Sequence, residues 1–186
     1  MAKSDSITVA RKSGSAAMLK RLAGITRLRA YVGIPATTAS DRSTQLLSMA
    51  GAARGVKRKA RLQRAAKADI NNAELLFVFS KGSPKRNQPP RDVLDPAIRA
   101  DGNRQPIARE LAASAKASLD GDDAKAVKYM RRAALAGQNA ARAWFVDSRN
   151  GWKPNTDATI RRKGSDRPGI DTGAMRAAIQ GIVGEE

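Results

Sequence analysis

Ala73-Glu74-Leu75-Leu76-Phe77-Val78-Phe79-Ser80 is the stretch on which the fold class turns. It is short, rich in apolar and aromatic residues, and followed by turn formers, a pattern that predicts the strongest β-strand of the chain. Lys81-Gly82-Ser83-Pro84 then reads as a β-turn, and an extended Pro-rich passage follows through Gln88-Pro89-Pro90. Working outward, Ile25-Thr26-Arg27-Leu28-Arg29-Ala30-Tyr31-Val32-Gly33-Ile34-Pro35 alternates in part before Gly33 and Pro35 stop it, and predicts a second strand. Gly181-Ile182-Val183-Gly184 predicts a terminal one.

The rest reads as helix. Residues 1–24 form a helix-prone basic arm, with Ala16, Ala17, Leu19 and Leu22 set among Arg11, Lys12, Lys20 and Arg21. Residues 36–68 form a basic insertion, poor in large apolar residues and expected between two strands. Its middle, Arg54 to Lys67, is read either as a helix charged on most faces or as a long loop. Arg91 to Ile98 predicts a short helix capped by Asp92 or Asp95, with Pro96 tolerated in its first turn. The helical bulk runs from Pro106 to about Asp147, interrupted at Asp120-Gly121-Asp122-Asp123. Ala126, Val127, Met130, Ala133, Ala134, Ala141 and Trp144 form the expected inner face of its second half, where small side chains permit close packing. Asp171-Thr172-Gly173 caps a last helix from Ala174 to about Ile179. The sum is an α+β domain over 25–186 with a helical C-terminal half.

Composition narrows the chemistry. The 186 residues suffice for one domain with a core, but the 41% apolar content is largely Ala and aromatics are only 4%. Such a core buries little area per residue, so self-association or a partner is expected to stabilise it. A net charge of +18 points to nucleic acid or an acidic protein surface, with a merely solvated basic surface as the bland alternative. No apolar run is long enough to span a membrane, and Met1-Ala2-Lys3-Ser4-Asp5 lacks the apolar core of a secretory signal. A protein made in the cytoplasm is expected. Without Cys or His there is no thiol nucleophile, no disulfide, no ordinary zinc site and no imidazole base, and no cofactor is called for.

Each remaining motif has a chemical and a plain reading. Arg54, Lys57, Arg58, Lys59, Arg61, Arg64 and Lys67 can neutralise phosphates without reading sequence, or simply face solvent. Asp120, Asp122 and Asp123, or Asp101 with Glu110, would need to converge to hold a metal, and helix capping accounts for the first group. A carboxylate-dependent hydrolase or nuclease would rest on Asp122 and Asp123. Lys81-Gly82-Ser83-Pro84 lacks the spaced glycines of a phosphate loop, and Asp171-Thr172-Gly173 lacks the second aspartate of an aspartic protease. Trp152, between Gly151 and Pro154, lies outside regular structure, either as a core anchor or as an interface hot spot.

Two blocks of the chain resemble the tail-completion (head–tail joining) proteins of long-tailed bacteriophages. The C-terminal block carries Trp152, Pro154, Thr159-Ile160, Lys163-Gly164, Ile170-Asp171-Thr172-Gly173, Met175-Arg176 and Ile179. The middle block carries Leu76 to Phe79, Gly82-Ser83-Pro84, Pro89-Pro90-Arg91 and Leu94. Ser80 departs from an acidic residue frequent in that family, Asp92-Val93 from a Pro-Phe pair, and the basic insertion has no counterpart. The resemblance implies an α+β subunit, with a small, mostly antiparallel sheet flanked by helices. It also implies a homo-oligomeric ring, commonly of six, on the end of the tail tube and facing the head–tail connector and stopper proteins of the neck. Such a protein is a non-enzymatic virion component, assembled in the host cytoplasm, and DNA passes through its ring. On that reading the docking residues are Phe79, Pro84, Arg91, Leu94, Trp152, Pro154, Ile160, Lys163, Asp171, Thr172 and Arg176. The alternative is a nonspecific nucleic-acid-binding protein working through residues 54–67.

Overall fold

The computed structural model describes residues 12–39 and 41–185. The first part of the basic arm, with Arg11, lies outside the described residues. From Lys12 the chain forms α1 (Lys12–Arg27), which takes up Ile25-Thr26-Arg27, expected as the start of a strand, and passes without a break into a shorter β1 (Leu28–Gly33). The partner of β1 is β2 (Gln180–Glu185), paired antiparallel from Leu28 opposite Glu185 to Gly33 opposite Gln180. Among the described residues this two-stranded ribbon is the whole sheet. The architecture is α+β, dominated by helices, with a helical C-terminal half.

The strand expected at Ala73–Ser80 is instead helix α5 (Asn72–Lys81). Three features favour helix over strand. Asn71 and Glu74 form a reciprocal capping box, in which the Asn71 Oδ1 accepts from the Glu74 N–H at 2.8 Å and Glu74 Oε2 accepts from the Asn71 N–H at 3.0 Å. Leu76 and Phe79, three residues apart, are buried, while Phe77 is 64% exposed, so burial follows the helical period. Finally, Glu74 in the first turn and Lys81 in the last complement the helix dipole.

The basic insertion therefore does not join two strands; it links β1 to α5. It holds a short helix α2 (Ala36–Ala39) and two longer ones, α3 (Arg42–Gly51) and α4 (Val56–Ala66). Arg42 Nη1 donates to the Ala65 carbonyl at 2.8 Å, and Leu46, Ala50 and Leu62 are buried together, so α4 doubles back along α3. The charged helix is thus not solvated all round. Leu62 supplies its one fully buried large side chain.

Beyond the turn at residues 82–90, α6 (Leu94–Arg99) starts as expected with Pro96 in its first turn. No side chain caps it; Asp92 Oδ1 accepts only from the Val93 N–H at 2.8 Å, and Asp95 pairs with Arg99 at 2.6 Å. Helices α7 (Arg104–Leu119) and α8 (Asp123–Trp144) are broken at the acidic turn, where Asp122 Oδ1 accepts from the Lys125 N–H at 2.9 Å as an N-cap. Ser114 Oγ donates to the Ala126 carbonyl and Arg132 pairs with Glu110, so the two helices run back along each other. Of the expected inner face of α8, Ala126, Met130, Ala133, Ala134, Ala141 and Trp144 are buried and Val127 is half-buried.

The sheet rests on α8. A Cβ added at Gly181 of β2 would lie 2.1 Å from the Ala134 carbonyl oxygen, and one at Gly137 of α8 would lie 2.7 Å from a methyl of Val32. The close approach of backbone to backbone is what glycine permits there. After α9 (Asp157–Lys163) and α10 (Ala174–Ala178) the chain enters β2. Helix α10 joins two cores: Ala174 belongs to the α3–α4 cluster, while Met175 and the following Ile179 pack with Leu76, Phe79, Val93, Trp144 and Phe145. Each large side chain fully buried there contributes about 1.5–3 kcal/mol.

Candidate functional site

The two sequence blocks separated by the helical bulk meet in space around three aromatic rings. Phe79 of α5 and Phe145, just beyond α8, stack at 6.0 Å between centroids. Trp152 closes the cluster edge-on, 5.3 Å from Phe79 and 5.8 Å from Phe145, a favoured geometry for aromatic quadrupoles. Gly169 covers the other side, where any Cβ would come within 2.8 Å of both Phe rings. Arg91 fastens the turn to this cluster. Its guanidinium lies 5.8 Å from the Phe79 ring centroid, its N–H donates to the Phe79 carbonyl at 3.1 Å, and Nη2 reaches the Lys153 carbonyl at 3.4 Å. Burial lowers the Arg91 pKa, and its Nε has no partner among the described residues.

The turn itself is a small closed loop. Ser83 and Gln88 exchange backbone hydrogen bonds at 2.8 and 3.0 Å around a 3-10 turn, Pro84–Arg86. Gly82 has φ +76°, and a Cβ there would lie 2.7 Å from the Gln88 oxygen and the Pro90 nitrogen; only glycine fits. Pro84, Asn87, Pro89, Pro90 and Lys153 line a shallow surface hollow beside it. Of the expected docking residues, Pro84, Pro154 and Asp171 are exposed; Arg91, Leu94, Trp152, Ile160, Lys163, Thr172 and Arg176 are half-buried; Phe79 is buried. Thr172 Oγ1 accepts from the Ala174 N–H at 3.2 Å. Arg176 is latched to α8: its Nε donates to the Arg142 carbonyl at 2.7 Å, while Arg142 donates to the Ile179 and Ala177 carbonyls.

A second assembly lies where α4 meets the end of α9. Arg61 donates through Nη1 to the Lys163 carbonyl and through Nη2 to the Asp171 carbonyl, with Asp171 Oδ1 3.8 Å away. From Arg42 to Ala68 the chain contains no carboxylate. Arg54, Lys57, Arg58, Lys59, Arg64 and Lys67 are all exposed, and Arg61 is half-buried. Lys163 has its pKa lowered, first by burial and further by Arg162, Arg91 and Arg61, against the opposing pull of Asp171. Burial also lowers Arg42, again opposed by Asp171. One exposed carboxylate is therefore surrounded by several cations.

Two of the other candidate carboxylates are held in ion pairs. Asp120 pairs with Lys116 at 3.0 Å, and buried Glu110 with Arg132 at 3.1 Å. Among the described residues no group of three or more carboxylates converges to hold a metal ion, and no helix is long and apolar enough to cross a membrane. No protein-family model matches the chain, and comparisons with curated proteins and with solved structures find no match.

Two contributors escaped the sequence reading. Phe145 follows Trp144 at the end of α8 and is outside the inner face expected for that helix, and only folding brings it to Trp152. Gly169 had a visible signal in the Pro168-Gly169 pair, which marks a turn without saying what crosses it.

Proposed function

We propose that this chain is a structural, non-enzymatic virion protein that completes a phage tail and joins it to the head, acting in a ring of copies. The observation that carries the reading is the meeting of the two resembling blocks. The Gly82–Leu94 passage and the Trp152–Ile179 segment are separated in sequence by two long helices, yet they share one aromatic cluster and the Arg91–Lys153 hydrogen bond. A docking surface built from both needs that contiguity, and a rigid one loses little conformational freedom on binding. Pro84, Pro89 and Pro90 beside Lys153 and Pro154 form its solvent-facing part. The thin, Ala-rich core agrees with a subunit stabilised by its neighbours.

The test uses the virus that encodes the chain. Lys153→Glu with Pro154→Glu changes only exposed side chains and should leave the protein folded while tails and filled heads accumulate unjoined. Trp152→Ala should give the same block with a lower melting temperature, because it also opens the aromatic cluster. Normal yields of joined particles from the double variant, or absence of the chain from purified particles, would overturn the reading.

A further inference from the structure

The α4–α9 corner gathers cations from two distant segments, and its shape was not visible in the sequence. Lys57, Arg61 and Arg64 stand four and three residues apart, so they form one stripe along α4. Arg61, the middle of the stripe, is the residue that grips the Lys163 and Asp171 carbonyls. Its flank of α4 therefore faces the last turn of α9, which carries Arg161, Arg162 and Lys163. Two basic segments about a hundred residues apart in sequence become one surface.

The corner is more than a solvated face. Lys163 is half-buried, and no carboxylate lies within ion-pairing distance of its ammonium among the described residues. The buried Nε atoms of Arg42, Arg61 and Arg91 likewise have no acceptor there. Among the described residues Asp171 is the acid that ion-pairs with Arg61 and draws on Arg42 and Lys163, and its exposed carboxylate lies 3.8 Å from Arg61, longer than a hydrogen bond. Cations partly withdrawn from water that share a single exposed counter-charge are held at a disadvantage that an arriving oxyanion removes.

We propose that this corner binds the backbone phosphates of DNA, with Lys57, Arg61 and Arg64 on one side and Arg161, Arg162 and Lys163 on the other. Duplex DNA is favoured over an acidic polypeptide because cations recur along a helix face with no large apolar anchor between them, the arrangement for a charged backbone rather than for a protein hot spot. Asp171 acts as the internal competitor for the same cations. The binding is independent of sequence, since no element here offers base-reading side chains in a groove-fitting motif. It goes beyond the tail-joining role and does not rest on it: an isolated chain binds DNA this way whether or not it joins tails.

The experiment measures binding of the full-length chain to a short mixed-sequence duplex across a range of salt concentrations. Affinity should fall steeply with salt, and the combined Arg161→Gln, Arg162→Gln, Lys163→Gln variant should flatten the log–log slope by roughly 2–3, about 0.9 per phosphate contact removed. Asp171→Asn should tighten binding several-fold. Lys128→Gln with Arg131→Gln, exposed cations on α8, should leave the slope nearly unchanged, and circular dichroism confirms that each variant is folded. Equal losses from the α8 pair would overturn the proposal, because net charge alone would then be acting. So would polyglutamate binding that depends on the corner while DNA binding does not, or unaltered affinity in Asp171→Asn.

Discussion

At Gly181 the peptide backbone of β2 passes so close to the Ala134 carbonyl that a single methyl group would overlap it. The Gly181 N–H also donates to Gln138 Oε1 at 2.9 Å, so the strand is both packed and hydrogen-bonded to α8 at one point. Gly181→Ala must push the ribbon off the helix, and overpacking of this kind costs about 1–3 kcal/mol. Urea unfolding should show a lower midpoint of that size, and Gly151→Ala provides the comparison, since a Cβ there meets nothing within 4 Å. Gly151 has φ +63°, so its own penalty comes from the left-handed backbone alone, about 1 kcal/mol. An unchanged midpoint in Gly181→Ala would mean that β2 does not sit on α8 in solution.

Among the elements, α5 teaches most. Its apolar run, Ala73 to Ser80, satisfies the usual description of a buried strand. The deciding information lay at its start, in Asn71 just upstream and Glu74 inside the run, where an Asn followed three residues later by Glu is a helix-start signature. That signal was legible; it was outweighed by the side chains that followed. Asn71→Ala removes the cap and should lower stability by about 1 kcal/mol, read as a lower melting temperature; Asn71→Asp, which keeps the acceptor, should restore it. The α3–α4 pair illustrates the opposite case. The sequence of α4 left helix and loop equally open, because its only large buried side chain is Leu62, and a single apolar residue defines no stripe. Its helical state depends on Leu46 and Ala50 of α3 and on Ala174, which arrives from the far end of the chain.

At the scale of the whole molecule, the ribbon presents an outer face to solvent. Tyr31 and Ile182 stand opposite each other in the β1–β2 register, 45% and 42% exposed, and the Tyr31 ring lies against Gly184. A two-stranded ribbon is seldom stable by itself, and here one face is held by α8 while the other faces solvent. In the proposed ring this face is a natural place for a neighbouring copy. The expected result is that the wild-type chain sediments as an oligomer and that Tyr31→Lys with Ile182→Lys dissociates it to monomer; a wild-type monomer at assembly concentrations would remove the ring from the proposal.

The sequence carries whatever depends on neighbours along the chain. It supplied the α7–α8 break at Asp120–Asp123, the Asp122 cap, the inner face of α8, the short β1 segment and the terminal β2, because periodicity, capping and turn chemistry are local. It also supplied the excess of cations and the absence of thiol and imidazole chemistry. The Asn71–Glu74 box writes the helix at Ala73–Ser80 locally, and the tertiary fold added which of its faces is buried, Leu76 and Phe79 against Val93, Phe145 and Met175. Only the tertiary structure brought Trp152 to Phe79 and Arg61 to Lys163, because contacts across tens of residues are set by which faces remain to be buried once the helices have formed.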